Sequence, residues 1–353
     1  MEGLQLGVPG YMPGVARKGG WRRRGSKSRG FRYYDAKGRE ITDSEKLERI
    51  DQLRIPPAWR EVWISPSARA KLQAVGLDRA GRRQYLYHPA YRAQQEQAKY
   101  DRLVRFGEKL PEIRTAMAEH MDRPHLDRER VCAVALRIIN VGWFRPGSER
   151  YTKTSRTYGI TTLRKGHIKV RGRRIALNFR GKHKVWVRTA LVDAELAEAL
   201  KELLALKGGT RLFRYVNDGE LHNVTERRLN EYIQTHMGEE FTAKDFRTWG
   251  GTLLAAIGLA EHGPSETETQ AKRVVTSVVR NVAEKLGNTP AVCRASYISP
   301  AVVEQYMDGR TIDDFRPRHL RVVSARDTGL DLEEQALLSL LRSWRIRQAR
   351  EAA

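Results

Sequence analysis

The apolar pattern of this chain changes period once, near residue 95, and that change limits what it can fold into. Before it, short stretches alternate in the manner of strands and end at turn signals. FRYYDAKGREIT carries a Lys37-Gly38 turn between strand-like halves, and VWISP and QYLYHP follow, with Gly76 and Gly81 as further turn signals. After it, apolar residues recur at helical spacing in AQQEQAKYDRLVRFGEKL, PEIRTAMAEHM and RERVCAVALRIINVG, the last stopped by Gly142. Strand alternation returns only over 159–190, as HIKV, RIALNF and KVWVRTA separated by turns at Arg171-Gly172 and Gly181-Lys182. Helices then resume. TQAKRVVTSVVRNVAEKLG puts Val274, Val275, Val278, Val279, Val282 and Leu286 on one stripe with Gly287 as its stop, and DLEEQALLSLLRSWRIRQAREAA closes the chain as another amphipathic helix. The expected fold is α+β: a basic flexible arm over 1–30, a small β-rich domain over 31–97, and a larger, mainly helical domain with a β-hairpin region over 98–353.

Charge narrows the partner. The 353 residues hold 65 Lys and Arg against 42 Asp and Glu, a net +23. Such an excess costs self-repulsion unless a polyanion neutralises it, and nucleic acid gains further from counterion release. A membrane-surface helix would concentrate its basic residues in one amphipathic segment, whereas here they run through the whole chain. No uncharged apolar run of about 18 residues is present, which argues against a transmembrane helix. The opening MEGLQLGVPGYMPGVARKGG has no continuous apolar stretch of the kind a secretory signal needs. Two cysteines, Cys132 and Cys293, cannot build a disulfide framework or a four-cysteine zinc site. The segment GWRRRGSKS at 20–28 looks like a phosphate-binding loop at a glance. Ser26, however, separates the glycine from the lysine, and no apolar strand precedes it, so no nucleotide cofactor is expected. Aromatics interleaved with basic residues at Tyr85, Tyr87, His88, Tyr91 and Arg92 suit a nucleic-acid backbone equally well as they suit a sheet core.

The segment 287–300, GNTPAVCRASYISP, is unusual in construction. Thr289-Pro290 and Ser299-Pro300 each read as an N-cap followed by proline at the first helical position, which leaves Tyr297 in the turn between two capped helices. Upstream, WFRPG places Arg145 in a rigid turn, Lys182 sits at a tight hairpin turn, and the i, i+3 spacing of Lys244 and Arg247 in KDFRT sets both on one helix face.

Taken in order, FRPG, the hairpin RGK, KDFRTWGGT and LGNTPAV followed by SYISP resemble the motif set of type IB DNA topoisomerases, particularly the short bacterial and poxvirus-like members. VWISP and YHPAYR resemble the N-terminal domain of the same group, so the likeness spans about 31–320. It implies a tyrosine recombinase-like catalytic core and a monomer that closes as a clamp on supercoiled duplex DNA. By position, it makes Tyr297 the nucleophile that retains the 3′ phosphate and makes Arg145 and Arg247 the ligands of the scissile phosphate. Lys182 becomes the general acid for the 5′ oxygen. Asn288 stands where many members of the wider family carry histidine, and asparagine at this place is a trait of bacterial-type members. Lys244, Tyr85, Tyr91 and Arg92 are further candidate DNA contacts. The resemblance also implies a cytoplasmic, nucleoid-associated protein.

The chemistry of these residue types agrees independently. A phenol of ordinary pKa, about 10, is ionised to only about one part in a thousand at neutral pH, so it needs a cationic setting or a base. Attack on a phosphodiester builds negative charge on the non-bridging oxygens, which guanidinium forks match in a bidentate way. A lysine set among other cations becomes a better acid for an alkoxide leaving group. No carboxylate cluster with metal-ligand spacing accompanies these motifs. Two arginines and a lysine supply the charge that a metal supplies elsewhere, so no metal is expected. A phosphotyrosyl ester conserves the energy of the broken bond, in keeping with the missing nucleotide loop. The rival readings are a tyrosine recombinase or integrase, and a non-catalytic basic nucleic-acid-binding protein. Recombinases usually carry His-x-x-Arg where this chain has Lys244-x-x-Arg247, and a helical N-terminal domain where this one reads as strands.

Overall fold

The computed structural model describes residues 19–316 and 329–351, so the first 18 residues of the expected arm lie outside it. The chain divides into two compact units, residues 1–99 and 100–353. In the first, strands β1 (Trp21–Ser26), β2 (Gly30–Tyr34), β3 (Arg60–Ile64), β4 (Leu72–Leu77) and β5 (Arg83–Tyr87) form one antiparallel sheet of order β2-β1-β3-β4-β5. Helix α1 (Ser44–Gln52), capped by Asp43 through the amide of Lys46, lies between β2 and β3 in sequence. Trp21, Ile41, Ile50, Val62, Ile64 and Ala74 make its core.

The basic stretch Arg22-Arg23-Arg24 is therefore part of a strand, where the sequence reading places it in the flexible arm. The reason is visible at Arg23. Its guanidinium donates to the carbonyls of Ile55 (3.3 Å), Pro56 (3.1 Å) and Trp59 (2.7 Å) and lies over the Phe31 ring, while Trp21 is buried beside it. Charge disguised a segment whose ends are tied to the core.

The second unit begins within α2 (Pro89–Met121), which runs on through Pro111 where the sequence suggested two helices. Proline costs one ladder hydrogen bond, but Phe106, Leu110, Ile113 and Met117 are buried on either side of it and their packing carries the helix through. Helix α3 (Arg128–Gly142) is capped by Asp127 and buried along most of its length; α4 (Glu149–Ser155) follows. Strands β6 (Ile168–Arg171), β7 (Arg174–Arg180) and β8 (Trp186–Val192) form the anticipated sheet in simple meander order, with Ile175, Leu177 and Phe179 facing the core. Then come α5 (Ala194–Ala205), a short hairpin of β9 (Arg214–Asn217) and β10 (Glu220–Asn223), and α6 (Glu226–Met237). The last group is α7 (Ala243–His262), α8 (Glu268–Leu286), α9 (Pro290–Tyr297), α10 (Pro300–Met307) and α11 (Leu332–Glu351).

Helix α7 is the hub: it packs against α3, α8, α9, α10 and α11. Its seat is fixed by a buried ionic knot. Arg114 of α2 makes a two-pronged pair with Glu334 of α11, both bonds 2.7 Å, and Glu334 also accepts from the indole N–H of Trp249 on α7 at 3.0 Å. Removing one member of such a pair leaves the other charge buried and uncompensated, at a cost of about 3–5 kcal/mol. Glu334→Ala is expected to lower the urea unfolding free energy by about that amount; a loss of a few tenths would show that the knot contributes little.

Candidate active site

Four of the five predicted catalytic residues meet where α8 ends. Helix α8 stops at Gly287, which takes left-handed φ of 59° and turns the chain, as its place after the Val stripe predicted. The last carbonyls of a helix have no partner within it and carry the negative end of its dipole. Here they hold the two arginines: Arg247 donates to Leu286 O (2.9 Å) and Arg145 to Gly287 O (3.2 Å). Arg247 donates further to Trp143 O, and Arg145 to the side-chain oxygen of Asn288.

Each residue is delivered by a constrained piece of backbone. Arg145 lies beyond α3, after Trp143 at φ 51°, in a turn held by Ile160 N to Arg145 O (3.0 Å) and Thr161 N to Pro146 O (2.6 Å). Gly147 and Gly159 press together so closely that a Cβ on Gly159 would stand 2.5 Å from Gly147 backbone. Arg247 is in the second turn of α7 and only 3% exposed. Two glycines on the next turn let neighbours approach: a Cβ on Gly250 would meet the Trp143 ring at 2.2 Å, and one on Gly251 the Tyr297 carbonyl at 2.7 Å.

Tyr297 is the last residue of α9, not part of the turn after it, and is half-buried. Thr289 caps this helix and Pro290 opens it, as expected. Its carbonyl accepts from Thr252 Oγ1 (3.2 Å), which in turn accepts from Ser299 N (3.1 Å); Tyr100 donates to Ile298 O (3.0 Å). The Arg247 guanidinium sits 5.1 Å from the centre of the Tyr297 ring. One turn earlier, burial pushes the Cys293 thiol up to about 11, so it stays protonated beside the phenol.

The electrostatics are those of a site made for an anion. Burial, and then the charge of Arg145, pull the Arg247 guanidinium down to about 10, while Arg145 is lowered by burial with Tyr297 opposing the shift. Both remain cationic at neutral pH, and among the described residues neither is paired with a carboxylate. Two buried donors, Arg247 Nε and Asn288 Nδ2, have no hydrogen-bond partner, and groups so placed are costly unless something accepts from them. Among the described residues no group of three His, Cys, Asp or Glu is arranged to hold a metal ion.

Lys182 stands apart. It is exposed in the five-residue loop between β7 and β8, and it forms no hydrogen bond with Arg145, Arg247, Asn288 or Tyr297. The loop is nevertheless tethered towards them, since Tyr158 N donates to Arg180 O (2.7 Å) one residue before the segment that braces Arg145. Lys244 is set differently. Although it is three residues from Arg247 it is exposed while Arg247 is buried, because the spacing leaves an angular offset of about 60° that here straddles the solvent boundary. Tyr85 packs against Trp63 and Val75 in the first unit and stacks on Tyr87; Tyr91 lies 5.5 Å from Tyr87 with Lys71 over its ring, and Arg92 is exposed. The supporting roles of Trp143, Gly250, Gly251 and Thr252 went unseen in the sequence, where only the paired glycines hinted at a close approach.

Residues 88–316 match the catalytic core of eukaryotic DNA topoisomerase I, and residues 30–78 the N-terminal domain of bacterial DNA topoisomerase IB. DNA topoisomerase 1B of Acanthamoeba polyphaga mimivirus is 34% identical over 79% of this chain and 85% of its own length. The vaccinia virus (strain Copenhagen) DNA topoisomerase 1B is 24% identical over 77% of this chain and 85% of its own. Among solved structures, the XerH site-specific recombinase overlays with a TM-score of 0.35 at 15% identity, over 54% of this chain and 48% of that one, too loose a likeness to argue from. The family matches, together with the arginine pair and tyrosine assembled at the end of α8, show that the chain belongs to the type IB DNA topoisomerases.

Proposed function

We propose that this protein relaxes supercoiled duplex DNA as a monomer, by transient cleavage of one strand through a 3′-phosphotyrosyl intermediate, and that it does so without ATP or a metal ion. The observation that carries this reading is the pair of guanidiniums beside Tyr297, Arg247 buried and Arg145 half-buried, with the unpartnered donors Arg247 Nε and Asn288 Nδ2. A phosphodiester seated there accepts from these donors. Tyr297 Oη attacks phosphorus and gives up its proton to solvent water as the P–O bond to the 5′ oxygen breaks. Negative charge growing on the non-bridging oxygens meets two pre-placed cations, the arrangement that stabilises such a transition state without reorganisation. The departing 5′ oxygen takes a proton from Lys182, whose loop closes on the DNA. The freed strand swivels, and the 5′ hydroxyl then attacks the phosphotyrosyl ester to restore the backbone and the phenol. The bond exchange is isoenergetic, so no external energy enters.

Asn288 contributes a neutral hydrogen bond through Nδ2 because its oxygen is already occupied by Arg145. Tyr85, Tyr91, Arg92 and Lys244 are proposed to touch DNA outside the site, and the protein is proposed to associate with the nucleoid. Among the described residues no helix is long and apolar enough to cross a membrane.

Three outcomes test the reading. Tyr297→Phe should abolish both plasmid relaxation and the denaturant-resistant protein–DNA adduct while duplex binding survives; an adduct in that variant would reassign the nucleophile. Arg247→Ala should slow single-turnover cleavage by about 100–1000-fold, the usual cost of one pre-organised donor. Duplex affinity should fall steeply with salt, by ~10³–10⁵-fold between 50 and 200 mM if about 6–10 phosphates are neutralised, and a shallow dependence would count against extended backbone contact.

A further inference from the structure

The solvent face of the β6–β7–β8 sheet carries a feature that the cleavage chemistry leaves unused. Residues opposite one another on paired strands share a face, and the register places Lys169, Arg171, Arg174, Arg180, Trp186 and Arg188 on the side away from the core. All six are exposed. Among the described residues none of the five cations pairs with a carboxylate, and no acidic residue occurs in the three strands. In their midst Trp186 is 51% exposed, whereas the other six tryptophans of the chain are buried or half-buried. Its ring is flanked by two guanidiniums, Arg180 at 5.8 Å and Arg188 at 5.3 Å from its centre. Val185, the residue before it, is exposed to the same degree.

This arrangement has a cost. A large ring in water forgoes burial free energy, and five unneutralised cations on one small sheet repel each other. Cation–π contacts hold the ring in place, but an aliphatic residue or a carboxylate would serve a merely structural sheet better. An apolar ring set in a carboxylate-free basic face is complementary to a surface that alternates phosphate with apolar sugar and base edge. Position sharpens the match. Arg180 and Trp186 are the cross-strand pair that closes the loop 181–185, and that loop carries Lys182. Consecutive left-handed residues, His183 at φ 61° and Lys184 at φ 62°, make its tip tight. Whatever the ring touches lies beside whatever Lys182 reaches.

Resting on the topoisomerase reading, we propose that Trp186 is a DNA-gripping residue. Its ring packs against deoxyribose and base edge in the groove next to the scissile step, with Arg180 and Arg188 on the flanking phosphates, and so seats the Lys182 loop on the duplex. Apolar side chains set against base steps among basic residues are an established way of holding a groove.

The test uses the full chain carrying Tyr297→Phe, which binds without cleaving. Adding Trp186→Ala should weaken duplex affinity by about 5- to 100-fold, as loss of one aromatic contact with nucleic acid does, with the salt slope unchanged because no charge is removed. Adding Arg188→Ala should instead lower the slope by about one. The Trp186→Phe variant, which preserves an apolar ring, identifies by difference the emission of Trp186, and duplex DNA should quench or shift that emission. Unchanged affinity in the alanine variant, or emission from Trp186 indifferent to duplex, overturns the proposal. So does an equal or larger effect of the alanine change on binding to single-stranded RNA or anionic vesicles. Adduct formation by the otherwise unaltered chain tests the topoisomerase reading separately, so failure of one is not mistaken for failure of the other.

Discussion

Two arginines are held at the carboxyl end of α8 by carbonyls that no helix can satisfy internally, Leu286 O for Arg247 and Gly287 O for Arg145. Much else in the second unit follows from that contact. It draws together the α3–α4 turn, the second turn of α7 and the end of α8, three segments about 100 and 40 residues apart. It places like charges side by side without a carboxylate, which the fold tolerates because the helix dipole and four backbone or amide oxygens share the load. The site is thus electrostatically unfinished in isolation, which is the ground for proposing it as a phosphate site.

The remaining architecture keeps this junction rigid. Gly250 and Gly251 let α7 lie against Trp143 on one side and Tyr297 on the other, while Thr252 clamps the Tyr297 carbonyl and the Ser299 amide. Further along α7, Trp249 is locked into the Arg114–Glu334 pair, so the helix bearing Arg247 is anchored from both α2 and α11. Preorganisation of this kind matters more here than affinity, since misplacing a donor by an ångström forfeits much of its effect on rate. Lys182 follows another logic: its loop is exposed, and in the proposed reading the duplex completes its position.

The distribution of the +23 excess fits these two logics. Buried or half-buried cations such as Arg247 and Arg145 are individually fastened. The exposed cations of the β6–β7–β8 sheet have no carboxylate partner among the described residues, as suits contact with a polyanion whose charge is repetitive. Arg23 belongs to neither group, for it serves its own strand's neighbours, and that is why a run of three arginines misled the reading of residues 19–30.

Sequence alone determined the local features: the valine stripe of α8 and its Gly287 stop, the Thr289-Pro290 start of α9, and the three strands with their two turns. Each rests on near-neighbour sterics or periodicity, which a linear reading captures. The same holds for the chemistry of the site, because phenol, guanidinium and amine at four ordered motifs restrict what reaction they can share. Tertiary structure decided the rest. Burial of Phe106 and Met117 let α2 pass through Pro111, and a 60° offset exposed Lys244 while Arg247 was buried. Only folding could choose which carbonyls would receive Arg145 and Arg247, or that Trp186 would face solvent between two arginines. Those outcomes depend on which distant surfaces compete for the same side chain, and periodicity along the chain carries no record of that competition.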